Sequence, residues 1–581
     1  MAVRHRQKEH RQLRSKYINF FTPMQPAPNV LARMPSVSSA PAPSIFYPGA
    51  SFHRLRRSSF ASVDFEQCFL AIRNGSHGHI GGTDNQGNPV PDTVNATSIT
   101  YDLCIKACGS GGGAFSWFTF GQQFSSWLLP WLALLSQFPF GSRNKWDNFM
   151  SVILTLGSPC LAVYSLTLTV LNNKWVARRL AGSQYPNSRR AALILSSLQQ
   201  APLKVTADGS LLASLVVLPE NDEWWTVLAE WLDYADIHTW TIAGITSVAW
   251  VVIAYALTII GAFGCRLHLV LDVAFGYLQI SPRCASERLT TALNRANSIS
   301  YVAGPNGVVK AEEVDARRAL SFHLDRDGAL YHDQEATAPI YNYSRFFSFT
   351  QVAEEFALAF RLAAEKSHRH KPVDPAVQWH IANRITSAPP YVRRSHWGPD
   401  VFSRFFIASL AALTLQWATS GASIVIVFFT PTVGKYLQYG LGCRSGAYLV
   451  YAAVATLVWI FLVASSIVGH YATAYSVLPD FSHRAAAQTA VFLRRLAKFL
   501  ATCNATWIIA AFLLQFGNFY DRCYCNSDVL GLGKRAHNVM VLENSDITAM
   551  KAAWIGGVVL AVAVPSLFLG FINVFIDTPP K

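Results

Sequence analysis

The chain has 581 residues, of which only 14% are charged, and its mean hydropathy is +0.24. Soluble domains carry about 25% charged residues, so this composition excludes an ordinary soluble protein. The net charge of +14 does not indicate a nucleic-acid-binding surface, because ten Lys or Arg residues and a single acid, Glu9, lie within residues 1–63. We therefore expect a membrane protein with no nucleic-acid partner.

Residues 1–63 are basic, rich in Pro and Ser, and without any periodic apolar pattern. This composition predicts a disordered tail, because it offers too little apolar surface to bury. An Arg-rich, Ser-rich, acid-poor N-terminus also resembles an organellar transit peptide, which is the alternative interpretation of this segment.

Residues 64–116 predict a small extracellular or lumenal domain containing cysteines. Turn residues are dense at 81–89, and glycosylation sequons lie at Asn74 and Asn95. Three more cysteines lie in later loops that we expect on the same face, and an even number on an oxidising face allows three disulfides. The candidate disulfide cysteines are Cys68, Cys104, Cys108, Cys443, Cys523 and Cys525.

Seven apolar stretches contain no Asp, Glu, Lys or Arg, and each has at least the length of about 20 residues that a bilayer span needs. They predict an all-α, polytopic bundle of transmembrane helices. An eighth span results if the apolar but charged stretch Arg266–Ile280 also crosses. The seven stretches are Trp117–Pro139, Asn148–Leu171, Trp240–Cys265, Phe405–Phe429, Ala447–Gly469, Phe499–Phe519 and Ala552–Ile576.

The two long polar segments between the spans each predict a helix. A helix from Pro219 to about Asp236 would place Trp224, Leu228 and Trp231 on one face. Phe349–Ser367 predicts an amphipathic helix with a capping box at its start and an apolar stripe. The capping box is Ser348 with Gln351, and the stripe is Val352, Phe356, Ala359, Phe360 and Ala363.

The predicted organisation follows from these segments. It comprises a tail (1–63), a cysteine domain (64–116), a transmembrane hairpin (117–171), a soluble loop with an amphipathic helix (172–239), one span (240–265), a long, partly helical loop (266–401), a four-span domain (402–576) and a short tail (577–581).

Two assignments of sides remain open. With 64–116 outside and seven crossings, the basic 470–498 loop falls inside, but residues 172–190, which carry five basic groups, fall outside. The positive-inside rule opposes the latter placement. The conflict disappears if the first span is re-entrant and 266–280 crosses the membrane.

No motif identifies a chemistry. The pair Cys523 and Cys525, separated by one residue, matches no common zinc spacing. The acidic stretch that begins at Asp325 lacks the Glu that a calcium loop needs at its twelfth position, where Ala336 stands. Nucleophile-elbow, phosphate-loop and metalloprotease patterns are absent from the sequence. We therefore expect no cofactor and no metal, and we do not expect an enzyme.

The predicted spans contain polar but no ionisable residues, which argues against a proton-coupled pump. Amides and hydroxyls inside a membrane either bridge helices or line a permeation path, and bridging is the commoner role. The candidate intramembrane polar residues are Gln416, Thr419, Asn504 and Gln515.

Several long phrases resemble an uncharacterised family of filamentous-fungal multi-pass integral membrane proteins. The resemblance covers most of residues 64–576, and it implies this architecture and a fungal source but no activity. The phrases that carry it include Leu218-Pro-Glu-Asn-Asp-Glu-Trp-Trp, Pro339-Ile-Tyr-Asn-Tyr, Ser395-His-Trp-Gly-Pro-Asp-Val-Phe-Ser-Arg-Phe-Phe and Arg522-Cys-Tyr-Cys-Asn-Ser.

The sequence thus predicts a non-enzymatic surface, sensing or scaffold protein, most simply of the plasma membrane, with the lipid bilayer as its expected partner and its protein partners unknown. An endomembrane location is the alternative. The alternative function is a transporter or channel for a neutral or lipid-like solute. A solid bundle with folded parts on both faces would favour the first function, whereas a water-wide cavity lined by Gln416, Thr419 and Asn504 would favour the second.

Overall fold

The computed structural model describes residues 62–78, 80–124, 145–205, 209–232, 286–304, 307–311, 318–322, 332–336, 338–368, 397–398, 400–429, 441–473 and 481–575. These residues are mostly helical, as the sequence predicts. The helices are α1 (Phe65–Arg73), α2 (Tyr101–Cys108), α3 (Trp117–Gln123), α4 (Lys145–Gly157), α5 (Pro159–Ala181), α6 (Ser188–Leu198), α7 (Gly209–Val217), α8 (Asp222–Leu232), α9 (Ser286–Asn297), α10 (His332–Glu335), α11 (Asn342–His368), α12 (Val401–Phe429), α13 (Cys443–Thr473), α14 (Phe481–Phe516), α15 (Cys523–Asn526), α16 (Val529–Leu532) and α17 (Asn544–Phe575).

Three small antiparallel sheets accompany the helices. Strand β2 pairs with both β1 and β7, β3 pairs with β6, and β4 pairs with β5. The strands are β1 (Gly82–Thr83), β2 (Ser98–Thr100), β3 (Leu203–Val205), β4 (Tyr301–Gly304), β5 (Gly307–Lys310), β6 (Leu320–Phe322) and β7 (His537–Val539).

Four helices of the described chain, α12, α13, α14 and α17, are by themselves long and apolar enough to span a membrane. They coincide with the last four predicted spans, except that the spans Phe499–Phe519 and Ala552–Ile576 extend beyond the ends of α14 and α17, and they make this a membrane protein. At 1.5 Å per residue each exceeds the ~30 Å thickness of a bilayer core. The predicted span Trp240–Cys265, the stretch Arg266–Ile280 and most of Trp117–Pro139 lie outside the described residues.

Helix α14 corrects one prediction about the region before the sixth predicted span. The basic segment 470–498 is not a loop, because α13 continues to Thr473 and α14 already begins at Phe481. Residues 481–516 contain neither Gly nor Pro, so nothing in the sequence interrupts this helix. Arg494 and Lys498 therefore lie one turn apart on a helix that continues into the bundle.

The stretch Asn148–Leu171 is not one straight helix. It divides into α4 and α5, which meet at Ser158 with a bend of 109°. Pro159 lacks a backbone N–H, so it ends α4 and starts α5, whose first turn is capped by the Ser158 hydroxyl accepting from the N–H of Leu161. A Cβ at Gly157 would overlap the carbonyl oxygen of Ala501 on α14, so only glycine allows this approach.

A separate apolar core lies under the segments predicted as loops. It is formed by the C-terminal part of α5, by α6, α7, α8, α9 and α11, and by β3 and β6. We call this unit the helical domain. The stripe predicted along 352–363 is buried in it, which confirms that part of the prediction. The capping box is wrong, because α11 already begins at Asn342 and the Ser348 hydroxyl instead donates to the carbonyl of Arg345 (2.9 Å).

The prediction is wrong about which aromatic residues of α8 share its buried face. Trp224 and Leu228 are buried, but Trp231 is 42% exposed, and Trp225 is buried in addition. The core does not reach the last turn of α8 on the side of Trp231, where the guanidinium of Arg295 lies 5.2 Å from the ring centroid.

The cysteine-rich N-terminal segment does not fold by itself. Its strand β2 pairs with β7, which follows α14 by about twenty residues. Phe65, Phe69 and Ile99 share one small core with Cys104 and Cys523. We call this joint structure the disulfide unit; it comprises the described residues of 62–113 and 518–543, together with Cys443. The predicted boundaries of 64–116 therefore include only its N-terminal part.

Candidate functional site

The six candidate cysteines form three pairs at disulfide distance. Cys68 pairs with Cys108, Cys104 with Cys523, and Cys443 with Cys525, with Cα–Cα separations of 5.6, 5.8 and 5.2 Å. The sequence left the pairing open, because six cysteines allow fifteen connectivities. Two of the three pairs connect segments that are remote along the chain. They attach α2 to the loop after α14 and attach that loop to the first residue of α13.

Polar contacts add to the covalent links. Arg444, one residue after Cys443, forms an ion pair with Asp521 (2.5 Å). The guanidinium of Arg522 lies 3.7 Å from the ring centroid of Phe519. Asn85 donates to Asp546 at the start of α17 (2.5 Å). Contacts thus fasten the disulfide unit to α13 and α17, and the chain itself continues into the unit from the end of α14.

The predicted glycosylation sequons lie on this unit. Asn74 and Asn95 are both exposed. The sequence contains two more Asn-x-Ser/Thr sequons, at Asn342 and Asn504, and both of these asparagines are buried. Only the first two are therefore accessible as acceptors in the folded protein.

The intramembrane polar residues fall into two groups. The amide of Asn504 donates to the carbonyls of Gly157 (2.8 Å) and Tyr451 (3.1 Å), which bridges α14 to α4 and α13. Gln515 accepts from the hydroxyl of Tyr448 (3.1 Å), which bridges α14 to α13. The hydroxyl of Thr419, by contrast, donates to the carbonyl of Leu415 in its own helix (2.8 Å).

Gln416 is likewise buried, and its amide donates to the hydroxyl of Ser420 on the same helix (3.3 Å). The structure therefore does not bring the four predicted residues together. Asn504 and Gln515 lie between helices, whereas Gln416 and Thr419 bond within α12.

The break between α4 and α5 is hydrogen-bonded to two other helices. The carbonyl of Leu156 accepts from the Tyr451 hydroxyl (2.7 Å), and the Ser158 hydroxyl donates to the carbonyl of Ala455 (2.7 Å). Tyr451 and Asn504 thus supply donors to two carbonyls freed at the bend, those of Leu156 and Gly157. Broken helices persist in membranes only where such partners satisfy the freed backbone groups.

The strongest electrostatic feature lies at the middle of α14, away from the helix end that adjoins the disulfide unit. Asp333, on α10, is completely buried. Its carboxylate accepts from the ammonium of Lys498 (2.5 Å), lies 3.3 Å from Nε of Arg494, and accepts a hydrogen bond from the hydroxyl of Tyr343. We call these four residues, with His332, the ionic cluster.

Two opposing effects set the protonation of the cluster. Burial alone would raise the pKa of Asp333, but the positive charges of Arg494 and Lys498 outweigh it and hold the pKa well below its usual range. His332 is half-exposed, with its Nδ1 3.5 Å from Asp333 and its Nε2 4.0 Å from Asp147 on α4. The hydrogen bond to Asp333 raises the pKa of His332. The buried carboxylate is therefore ionised, and it connects α10 to α14.

Two buried arginines hold elements in place: Arg404 joins the bundle to the helical domain, and Arg345 binds the segment before α11. Arg404 near the start of α12 donates to the side chain of Asn172 on α5 (2.5 Å) and to the hydroxyl of Thr350 on α11 (3.3 Å). Its guanidinium also lies 4.0 Å from the ring centroid of Trp175. Arg345 binds the carbonyls of Ala336 and Ala338, which precede α11.

Sequence reasoning missed these ionic residues for a definable reason. Arg494 and Lys498 were assigned to a loop, and Arg404 was placed just outside a span. The signal that could have revealed Arg494 and Lys498 is the spacing of four residues on a segment without Gly or Pro, which places both side chains on one helical face. No comparable signal marks Asp333, because its partners lie more than 160 residues further along the chain.

Comparisons with known proteins were negative. No protein-family model, curated protein or solved structure matches the chain. The fungal-family resemblance therefore stays a prediction, and a functional proposal must be argued from the geometry of the described residues.

Proposed function

We propose that the protein is a non-enzymatic surface or sensing protein, in which an exterior disulfide unit is coupled to an interior helical domain. The observation that carries the proposal is helix α14. At its middle, Arg494 and Lys498 hold Asp333. Its end at Phe516 lies seven residues before Cys523, which is bonded to Cys104. The C-terminal half of this 36-residue helix thus connects a covalently crosslinked unit to a buried ionic cluster.

The orientation follows from charge and oxidation. Disulfides and accessible sequons are typical of an exterior face, which places the disulfide unit outside. The ionic cluster, the helical domain and the C-terminal end of α17 then lie inside. Membrane proteins carry an excess of Lys and Arg on the inner side, and the basic N-terminal part of α14 fits this placement.

In this orientation α4 and α5 form a re-entrant pair that enters and leaves on the inner face. The carbonyl of Asp147, at the start of α4, accepts from the hydroxyl of Tyr341 (3.4 Å). Further along α5, Thr169 accepts from Asn342 (2.5 Å). The start of α4 and the middle of α5 therefore contact the same short segment beside the ionic cluster, while the bend of the pair contacts the middle of α13 and α14.

A re-entrant pair removes the conflict over residues 172–190. In the sequence analysis the conflict disappears if the first predicted span is re-entrant. The contacts favour re-entry of the second predicted span, Asn148–Leu171, instead. The basic residues after α5 then lie inside, as the positive-inside rule requires. The predicted span Trp117–Pro139 is then the one crossing that the proposal needs between the disulfide unit and the inner face.

The helical domain limits the number of crossings. Trp224 on α8 donates to Asn297 on α9 (3.1 Å), so both helices belong to one core on one face. Any spans between them must therefore be even in number. With one crossing before α4 and four in the long helices, the total is five, or seven if the stretches Trp240–Cys265 and Arg266–Ile280 both cross. We place the protein in the plasma membrane, with an endomembrane as the alternative.

The orientation is tested on intact cells by mass tagging and by glycan mapping. We expect the thiols of the disulfide unit to react with an impermeant maleimide only after reduction, and Asn74→Gln and Asn95→Gln each to remove a glycan shift. Asn504→Gln serves as the matched control and should leave the glycan pattern unchanged. Cysteines that react only after permeabilisation would reverse the orientation and contradict the proposal.

Coupling is tested by hydrogen exchange on the protein in detergent. Replacing both cysteines of one crosslink, Cys104→Ser with Cys523→Ser, should reduce protection at α10 and at the start of α11, which adjoin the middle of α14. The control pair Cys68→Ser and Cys108→Ser removes a crosslink that joins only α1 and α2. It should leave the protection of α10 and α11 unchanged. Equal protection of α10 and α11 in the two double variants would show that α14 does not couple the two faces.

One observation favours the alternative, a transporter or channel for a neutral solute. Broken helices near the bilayer midplane are typical of transporter binding sites, and α4 and α5 meet at such a break. Proteoliposomes in a light-scattering shrinkage assay with glycerol and urea test this alternative. A solute flux that Asn504→Leu alters would support transport, and a flux equal to that of empty liposomes would exclude it for these solutes.

A further inference from the structure

Two of the three disulfides lie side by side. Cys104 and Cys108 are one turn apart on α2, and each belongs to a different disulfide. The sulfur atoms of Cys104, Cys108 and Cys523 all lie within 4.8 Å of one another. Each sulfur in this group therefore has a second sulfur near it in addition to its own partner.

The two disulfides differ in exposure. Cys68 and Cys108 are partly exposed, whereas Cys104 and Cys523 are completely buried. A thiol in solution can therefore approach the Cys68–Cys108 disulfide directly but not the Cys104–Cys523 disulfide. Thiol–disulfide exchange requires a thiolate to reach a sulfur of the disulfide, so access limits its rate.

We propose that this group is a thiol–disulfide exchange site in which Cys108 passes a reducing equivalent from a small thiol in solution to the buried Cys104–Cys523 disulfide. The co-reactant is a small thiol of the glutathione class. Its thiolate attacks Sγ of Cys68, forms a mixed disulfide there and expels the thiolate of Cys108. Because one disulfide is exchanged for another, no further oxidant or reductant is needed in this step.

The second step is internal to the protein. The thiolate of Cys108 attacks the Cys104–Cys523 disulfide and forms a new bond to one of its two sulfurs. The other sulfur leaves as a thiolate and takes up a proton from water. If Cys523 leaves, the new Cys104–Cys108 bond lies within one turn of α2. The covalent link between α2 and α15, the short helix that begins at Cys523, is then lost.

The geometry assigns the transfer to Cys108 and not to Cys68. The group that lies within 4.8 Å includes Cys108 but not Cys68, which is on α1. Cys108 also shares α2 with Cys104, so the helix holds their sulfurs at a fixed spacing. The exchange depends on these positions alone and not on which face of the membrane the unit occupies, so its outcome is separate from that of the proposed function.

A matched pair of variants tests the proposal on the full-length protein purified in detergent without reductant. Cys68→Ser leaves the Cys108 thiol without a partner, and Cys108→Ser leaves the Cys68 thiol without one. After acid quenching and alkylation, non-reducing peptide mapping identifies which cysteines are bonded. Near-UV circular dichroism and size-exclusion chromatography check that both variants fold.

We expect Cys68→Ser to yield peptides joined through Cys108 to Cys104 or to Cys523, with the displaced cysteine alkylated. We expect Cys108→Ser to retain the Cys104–Cys523 bond in full, with Cys68 the only one of the six disulfide cysteines that is alkylated. An intact Cys104–Cys523 bond together with alkylated Cys108 in Cys68→Ser would overturn the proposal. So would zinc that co-purifies with the wild-type protein in a 1:1 ratio and protects all four thiols from alkylation.

A time course on the wild-type protein keeps the proposal testable if the variants fail to fold. At low glutathione, the mixed disulfide should form on Cys68, and the alkylated thiol should then appear on Cys104 or Cys523. Alkylation of Cys108 that persists while Cys104 and Cys523 stay bonded would contradict the transfer.

Discussion

Replacing the buried carboxylate of Asp333 tests whether the ionic cluster holds α10 and α11 against the bundle. Asp333→Asn preserves the shape of the side chain and removes its charge. Its two cationic partners differ in how well they tolerate this loss. Arg494 is 5% exposed and cannot reach water, whereas Lys498 is 20% exposed and can turn its ammonium outward.

The expected cost follows from this difference. Removing one partner of a buried ion pair costs about 3–5 kcal/mol, because the other charge stays buried without compensation. We expect Asp333→Asn to lie in that range, with Arg494 as the main source. Lys498→Gln should cost less, about 1.5–3 kcal/mol, as for one hydrogen bond to a charged group.

Unfolding by SDS in mixed micelles, followed by tryptophan fluorescence, measures these differences in the free energy of unfolding. A double-mutant cycle with Arg494→Gln isolates the pair, and contacting residues of this kind couple by about 0.5–3 kcal/mol. The reasoning is refuted if Asp333→Asn unfolds within about 0.5 kcal/mol of wild type, which is the range of ordinary surface substitutions.

Three further predictions concern single residues. Gly157→Ala should destabilise the protein by about 1–3 kcal/mol, since its Cβ would overlap the Ala501 carbonyl. The control is Gly421→Ala, where a Cβ meets nothing within 4 Å. It should be neutral or slightly stabilising in the same SDS titration. Asn504→Leu should lower the free energy of unfolding by about 1–3 kcal/mol, because it leaves the Gly157 carbonyl unpaired. The control Thr419→Val loses only a bond within its own helix and should lower it less. Equal losses in the two variants would contradict the bridging role of Asn504. Because the pKa of His332 is raised in the folded protein, its contribution to stability is complete below its unfolded pKa and is lost as the pH rises through the folded value. His332→Gln should therefore destabilise the protein at pH 5.5 but not at pH 8.5, and a loss that is independent of pH would rule out the titration of His332 as the cause.

The ionic cluster and the re-entrant pair change how the basic segments are interpreted. Counted along the sequence, the charges at 172–190 conflicted with a seven-span hairpin topology. A bend of 109° at Ser158 allows the proposed re-entrant pair, which would remove the conflict without moving any charge by returning α5 to the face from which α4 entered. The pattern of apolar residues could not show this, since a re-entrant pair and a straight span have the same composition.

The sequence by itself determined the features that depend on local composition. Charge-free runs of span length predicted the helices α12, α13, α14 and α17. Each segment that enters a bilayer must avoid burying charge by itself, so its own composition reveals it. The stripe along α11 was predictable for a similar reason, since the helical period alone decides which residues share a face. The six cysteines in segments predicted to share one face are the six that lie at disulfide distance.

Only the tertiary structure decided which of these parts meet. Cys104 and Cys523 are 419 residues apart, and their contact depends on how β2, β7 and α14 are arranged together. Asp333 is ionised only because α14 brings two cations to it. Hydrophobic burial is roughly proportional to area and has no direction, whereas disulfides and buried ion pairs require particular atoms at particular distances. The apolar pattern therefore predicts the helices, but not their partners.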